Sequence, residues 1–152
     1  MADYINNANT TQKLLRAFSQ FRKSGWHDRQ IAGYNPSEIK VLLAIRHETN
    51  EEKPDMKVSE ISSILRVTSP TVTQIVNKLE KDDLVERNTD PIDRRAVNIH
   101  LTEKGIEVTN EAKKAFTETF AGLIDYLGED DSEKLAELLN KVFNYFEHTY
   151  RQ

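Results

Sequence analysis

A mainly α-helical fold with one small β-hairpin is predicted by three patterns. Apolar residues recur at helical spacing along most of the 152-residue chain. Two short helices are joined by a tight connection, and the second carries a strong start signal. A pair of short strand-like segments then flanks a turn-rich tip.

The elements follow in order. Leu14, Leu15, Phe18 and Phe21 share one face of a helix over residues 11–23, which Gly25 can stop. Residues 24–35 are predicted as a loop. Asn35, Pro36 and Glu38 are a helix start: Asn35 caps, Pro36 suits the first turn and Glu38 can reach back. The helix that follows is apolar nearly all round at Ile39, Val41, Leu42, Leu43, Ala44 and Ile45, so it is predicted to be buried. After a polar loop over 48–55, residues 56–58 are a short extended piece. Ser59 is then expected to cap a short helix with Ile61, Ile64 and Leu65 on one face. Arg66 and Val67 form the connection, Thr68 caps the next helix, and Pro70 lies in its first turn. Val72, Ile75, Val76 and Leu79 form that helix's apolar stripe.

Residues 84–87 and 96–101 are predicted as two strands. Val97, Ile99 and Leu101 alternate with polar or small neighbours, and residues 88–93 make the tip. Thr102 caps a long helix whose stripe includes Val108, Ala112, Phe116, Phe120 and Leu127, and Gly128 ends it. Asp131 or Ser132 is expected to cap the last helix, with Leu135, Leu138, Leu139, Val142, Phe143, Phe146 and Tyr150 on one side.

Composition narrows function. With no cysteine, disulfides, thiolate metal sites and cysteine redox sensing are excluded. The opening segment lacks a basic start followed by an apolar run, and the longest apolar run (Val41 to Ile45) is far too short to span a bilayer. A cytoplasmic protein without a membrane partner is therefore expected. The net charge of -4 is unevenly spread. Acidic groups dominate residues 105–152, while residues 57–104 are balanced. A nucleic-acid surface needs clustered basic groups, not a basic whole, and Arg87, Arg94, Arg95 and Lys104 can supply the cluster. No glycine-rich phosphate loop and no Gly-x-Ser-x-Gly occurs, so no enzyme and no cofactor is expected. One rival is metal sensing through His27, His47 or His148 with nearby carboxylates, although no two histidines stand at a metal-ligand spacing.

From Ser37 to Gly105 the sequence resembles the MarR family of bacterial transcription regulators. The resemblance is carried by VSEISSILRVTSPTVTQIVNKLEKDDLVER and then DPIDRRAVNIHLTEKG, of which Asp93-Arg94-Arg95 and Leu101-Thr102-Glu103-Lys104-Gly105 are the most specific parts. It implies a winged helix-turn-helix domain over 36–104, flanked by dimerisation segments over 1–35 and 105–152. Where the family usually has glycine after its recognition helix, this chain has Asp83. That position is expected to need a left-handed backbone, which aspartate tolerates better than most residues.

The expected partner is double-stranded DNA with a pseudo-palindromic operator. Ser69, Pro70, Thr71, Thr73, Gln74, Asn77 and Lys78 lie outside the apolar stripe of the second short helix. Gln and Asn can bond adenine in pairs, Ser and Thr suit base edges or phosphate, and Lys78 suits phosphate. Arg95 at the hairpin tip is expected to enter a minor groove, with Asp93 pairing to its guanidinium. Arg94, Ser59 and Arg87 are expected near phosphate. The apolar stripes of the terminal helices exceed what one small bundle needs, so a homodimer is expected through Leu14, Phe18, Phe21, Leu138, Val142, Phe146 and Tyr150. The resemblance further implies a repressor released by a small aromatic or anionic effector, for which Phe18, Phe21, Trp26 and Tyr34 are the expected pocket. The alternative is an adaptor that uses its helices to bind another protein and does not touch DNA.

Overall fold

The computed structural model describes residues 2–151, and side chains from residue 8 onward. Its elements run α1 (Ala2–Lys23), α2 (Pro36–Glu48), β1 (Met56–Lys57), α3 (Val58–Leu65), α4 (Ser69–Lys81), β2 (Val85–Thr89), β3 (Val97–Leu101), α5 (Glu103–Leu127) and α6 (Glu129–Tyr150). They divide into two compact units, residues 1–108 and 109–152.

The core of the first unit gathers the stripes that the periodicity picks out. Leu42 and Ile45 of α2, Ile61 of α3, and Val72, Val76 and Leu79 of α4 are fully buried, as are Met56, Leu84 and Ile99. Helices α2, α3 and α4 pack on one another, and α2 also meets β3. Burying these aliphatic side chains contributes about 1.5–3 kcal/mol each before chain entropy is charged against it.

Local chemistry sets the boundaries. The Asn35 side chain accepts from the Glu38 N–H at 2.9 Å, and the Glu38 carboxylate accepts from the Asn35 N–H at 3.3 Å, completing a capping box with Pro36 at the helix start. Just upstream, Ile31 and Tyr34 exchange main-chain hydrogen bonds around Ala32 and Gly33, both at positive φ. That tight turn replaces part of the expected loop. Thr68 Oγ1 accepts from the Thr71 N–H at 3.4 Å, as a cap should. Arg66 and Asp83 both adopt the left-handed conformation, φ 55 and 63, so the expectation at Asp83 holds.

The hairpin is one side of a three-stranded antiparallel sheet in the order β1-β3-β2. The extended piece at Met56–Lys57 pairs with β3, Met56 opposite Ile99. Two residues carry no period, so only the partner strand reveals β1 as a strand. Strand β2 also runs to Thr89, where the sequence suggests turn, because Asn88 and Thr89 pair with Asn98 and Val97.

Other boundaries depart from expectation. Helix α1 starts at Ala2 rather than Thr11; a formed helix propagates through polar residues that carry no pattern. Ser59 does not cap α3, since Lys57 holds the cap position and Glu60 accepts its N–H at 3.3 Å. Ile64 is 47 % exposed, leaving Ile61 as the buried anchor of α3. Neither Asp131 nor Ser132 caps α6, which starts one residue after Gly128 at φ 84; the Ser132 hydroxyl donates back to the Gly128 carbonyl at 2.7 Å.

In the second unit, no residue of α6 is buried. Among the described residues, no helix is long and apolar enough to cross a membrane.

Candidate nucleic-acid interface

Helix α4 divides cleanly. Val72, Val76 and Leu79 are inside, while Ser69, Pro70, Thr71, Thr73, Gln74, Asn77 and Lys78 are exposed. Its first turn carries no acidic residue, so the positive end of the helix dipole and the free N–H groups are not cancelled by a carboxylate. Thr71 also shares a hydrogen bond between hydroxyls with the cap residue Thr68, at 2.8 Å.

Two of the polar residues are already engaged. Lys78 Nζ donates to Glu38 at 2.6 Å and lies 5.6 Å from the Tyr34 ring centroid. That hydrogen bond to Glu38 raises the Lys78 pKa above its ordinary value. Because Glu38 is nearly inaccessible and also closes the α2 cap, Lys78 works first as the clamp joining α4 to α2. A phosphate contact would have to share its ammonium. The Arg87 guanidinium donates to the Asn77 amide oxygen, which links β2 to α4, and its Nε is 3.7 Å from Glu80. Asn77 keeps its NH₂, but its oxygen would have to accept from adenine and Arg87 together for paired recognition. Gln74 has no hydrogen-bond partner among the described residues, so both halves of its amide are available.

The hairpin tip is organised by a residue that the sequence analysis passed over. Asp90 Oδ1 accepts from the N–H groups of Ile92 (2.8 Å) and Asp93 (3.0 Å). Its Oδ2 accepts from Asn98 at 3.4 Å and lies 3.9 Å from Lys57 Nζ. The N–H bonds from Asp93 and Ile92 hold its carboxyl below the ordinary value. The signal was present, since Asp-Pro at a turn commonly bonds the backbone ahead of it.

Asp93 departs from expectation. Its carboxylate accepts from the Arg95 main-chain N–H at 3.0 Å, not from the guanidinium. The reach of a short side chain in a tight turn favours the local N–H. The guanidinium groups of Arg94 and Arg95 have no ion-pair or hydrogen-bond partner among the described residues, and both side chains are exposed. Ser59 is exposed in the first turn of α3.

Because the folded pKa of Asp90 is depressed, its hold on the turn is complete above the ordinary value of 3.8 and fades as pH falls through the lower folded value. The Ile92 and Asp93 amide resonances should shift in that acid window, before the core melts. Amides that do not respond there would show that Asp90 does not hold the turn.

At the sheet's other end, His100 bridges Asp55 at 3.0 Å and Glu86 at 2.9 Å, joining the β1 approach, β3 and β2. It borders an open pocket of about 580 Å³ lined in part by Arg46, Thr49, Asn88 and Ile106. The aromatics expected to form an effector pocket do not line it. Phe21 and Trp26 stack at 5.8 Å and are half-exposed, and Phe18 is 47 % exposed. Among the described residues, no three His, Asp or Glu side chains converge to hold a metal ion.

A family model described as MarR family matches residues 35–97, the segment from the α2 cap to β3. The uncharacterized HTH-type transcriptional regulator YkoM of Bacillus subtilis (strain 168) is 30% identical over 140 residues, covering 92% of this chain and 88% of that protein. The chain belongs to the MarR family. HTH-type transcriptional regulator MhqR of the same organism is 32% identical over 110 residues, 72% of each chain. The S. aureus MepR–DNA complex has a protein chain of the same fold, with a TM-score of 0.70 at 24% identity over 88% of this chain and 96% of that one. Membership thus covers α1 to α6, and the MarR helix-turn-helix of this protein is α3 and α4, with β2, β3 and their tip as its wing.

Proposed function

We propose that this MarR-family protein is a cytoplasmic, homodimeric transcription regulator that reads double-stranded DNA and acts by binding, without catalysis. The observation that carries this is the pairing of an exposed polar face on α4, acid-free in its first turn, with a rigid wing bearing two unpartnered arginines. A helix presenting Ser69, Pro70, Thr71, Thr73 and Gln74, with the Asn77 NH₂ beside them, suits a major groove. Arg95 suits the adjacent minor groove, where a narrow A·T segment concentrates negative potential, and Arg94 suits phosphate. Residues 36–104 would read DNA, and residues 1–35 and 105–152 would pair two copies, presenting the helices to half-sites about 10 bp apart. MepR, which shares the fold, has been captured on DNA. Repression relieved by a small aromatic or anionic effector completes the proposal, as the family resemblance implies; a ligand favouring a non-binding arrangement of the dimer would release DNA by shifting its population.

The test is capture of duplex fragments from the host genome, followed by titration against salt. Affinity should fall steeply as salt rises. Arg95→Ala should weaken binding by about 1–3 kcal/mol and flatten the salt dependence by about one ion, with the melting temperature unchanged. Salt-independent behaviour with no duplex affinity would favour a protein adaptor instead.

A further inference from the structure

The most exposed large apolar side chain among the described residues stands at the tip of the wing. Ile92 is 95% exposed, between Pro91 and Asp93. A lone exposed isoleucine is ordinary on a protein surface, but this one is held in an unusual setting. Its own N–H is fixed by Asp90 at 2.8 Å, and the next N–H is fixed by the same oxygen at 3.0 Å. Pro91 restricts the backbone on the other side. The base of the turn is closed by main-chain bonds from Asp90 to Ala96 at 3.1 Å and from Ala96 to Asp93 at 3.0 Å. A floppy tip would let an isoleucine fold back onto the sheet; this one is held away from it.

The charges around it point to one kind of occupant. Both nearby carboxylates are turned inward onto main-chain N–H groups, Asp90 onto Ile92 and Asp93, and Asp93 onto Arg95. The guanidinium groups of Arg94 and Arg95 are left outward without partners. An apolar knob flanked by outward arginines, with its acids spent internally, matches a surface that has negative walls and an apolar lining. The minor groove of a duplex is such a surface: phosphates on both rims, deoxyribose edges between them.

We propose that Ile92, supported by Pro91, is an apolar wedge that enters the minor groove beside the arginine and selects A·T pairs there. This rests on the DNA-binding function proposed above and adds a specificity residue to it. An A·T floor offers only acceptors and a smooth, narrow channel. A G·C pair places the guanine 2-amino donor on that floor, and an isoleucine above it strips its water without offering an acceptor. Apolar side chains also act on the groove by pressing between sugar edges or base steps, at a deformation cost that depends on sequence. The arginine supplies affinity through charge and favours a narrow groove; the isoleucine adds discrimination against the guanine 2-amino group.

The two contributions separate in one experiment on the full-length protein. A genome-captured operator duplex is compared with versions carrying G·C or inosine·C pairs in the wing segment, inosine lacking the 2-amino group. Wild-type protein should lose affinity on G·C and regain it on inosine·C. Ile92→Ala should bind the native operator about tenfold more weakly, with its salt dependence unchanged, and should lose clearly less affinity on G·C than the wild-type protein does, keeping only the groove-width preference of Arg95. Arg95→Ala should flatten the salt dependence while still preferring A·T. Because Ile92 is almost wholly exposed, Ile92→Ala should melt at the wild-type temperature, and Ile92→Val should restore most of the discrimination. If Ile92→Ala keeps wild-type affinity and wild-type preference, the wedge is overturned while DNA binding stands. If the wild-type protein binds none of the duplexes, the failure is that of the DNA-binding function itself.

Discussion

Leu138→Asp combined with Phe146→Asp is expected to convert a dimer into monomers and to lower affinity for a two-half-site operator by roughly a hundredfold or more. The reason lies in α6. This 22-residue helix buries no residue, yet Leu135, Leu138, Leu139, Val142, Phe143, Phe146 and Tyr150 recur along it at helical spacing. Leu138 and Phe146 are each 47% exposed. Helix α5 exposes Phe116, Phe120, Leu123 and Ile124, and α1 exposes Leu14, Leu15, Phe18 and Phe21. So much exposed apolar surface on each of these helices is unstable against water, and a second copy is the simplest cover. Two carboxylates in the middle of that face would be buried unpaired in the dimer, a cost that association cannot meet. In the separated chain the same groups face solvent, so the first unit should keep its melting transition. Sedimentation gives the mass directly. Dimers that persist in the double variant would move the interface away from α6. A monomer that still binds the full operator as tightly would show that pairing is irrelevant to DNA affinity.

Gly105→Ala is expected to destabilise the first unit by about 3 kcal/mol. A Cβ at this position lies 2.1 Å from the Leu84 carbonyl oxygen and 3.3 Å from Leu101 Cδ2. The first contact is with backbone, so no flexible side chain can swing aside. That carbonyl is itself fixed, since it accepts the Thr102 N–H at 3.1 Å. Thr102 in turn caps α5 through Gly105 N–H at 3.1 Å and donates its hydroxyl to Asp83 O at 2.6 Å. One methyl group must therefore move either the start of α5 or the entry to β2. Moving the latter also tilts the wing on which Arg95 stands. Urea denaturation measures the loss. Wild-type stability in Gly105→Ala would mean that this junction gives way at little cost, and that the close approach is not a constraint.

How much of this was legible beforehand depended on the range of the physics involved. Helix α4 was written almost completely into the chain: Thr68 caps, Pro70 starts, and Val72, Ile75, Val76 and Leu79 repeat. Each of those effects acts within one or two turns. The same holds for the capping box at Asn35 and the left-handed backbone at Asp83. Strand β1 was illegible as a strand because two residues have no period and its pairing lies in β3, far along the chain. Ser59 looked like a cap by type, but the sheet pairing of Met56–Lys57 leads the chain straight into α3 before it.

The polar residues of the interface divide in the same way. Their identity and exposure followed from the apolar stripe alone, since burying one face presents the other. Whether each is free was a tertiary matter. Lys78 and Glu38 are 40 residues apart in sequence, and Asn77 meets Arg87 only because β2 folds back against α4. Asp93 was turned from its expected arginine partner to a main-chain N–H by the tightness of a turn that Asp90 sets. Sequence by itself determined the helices, the wing and the family, because period, capping and turn chemistry are local. Only the tertiary structure decided which donors and acceptors are already spent, because a hydrogen bond across the fold depends on where two distant segments meet.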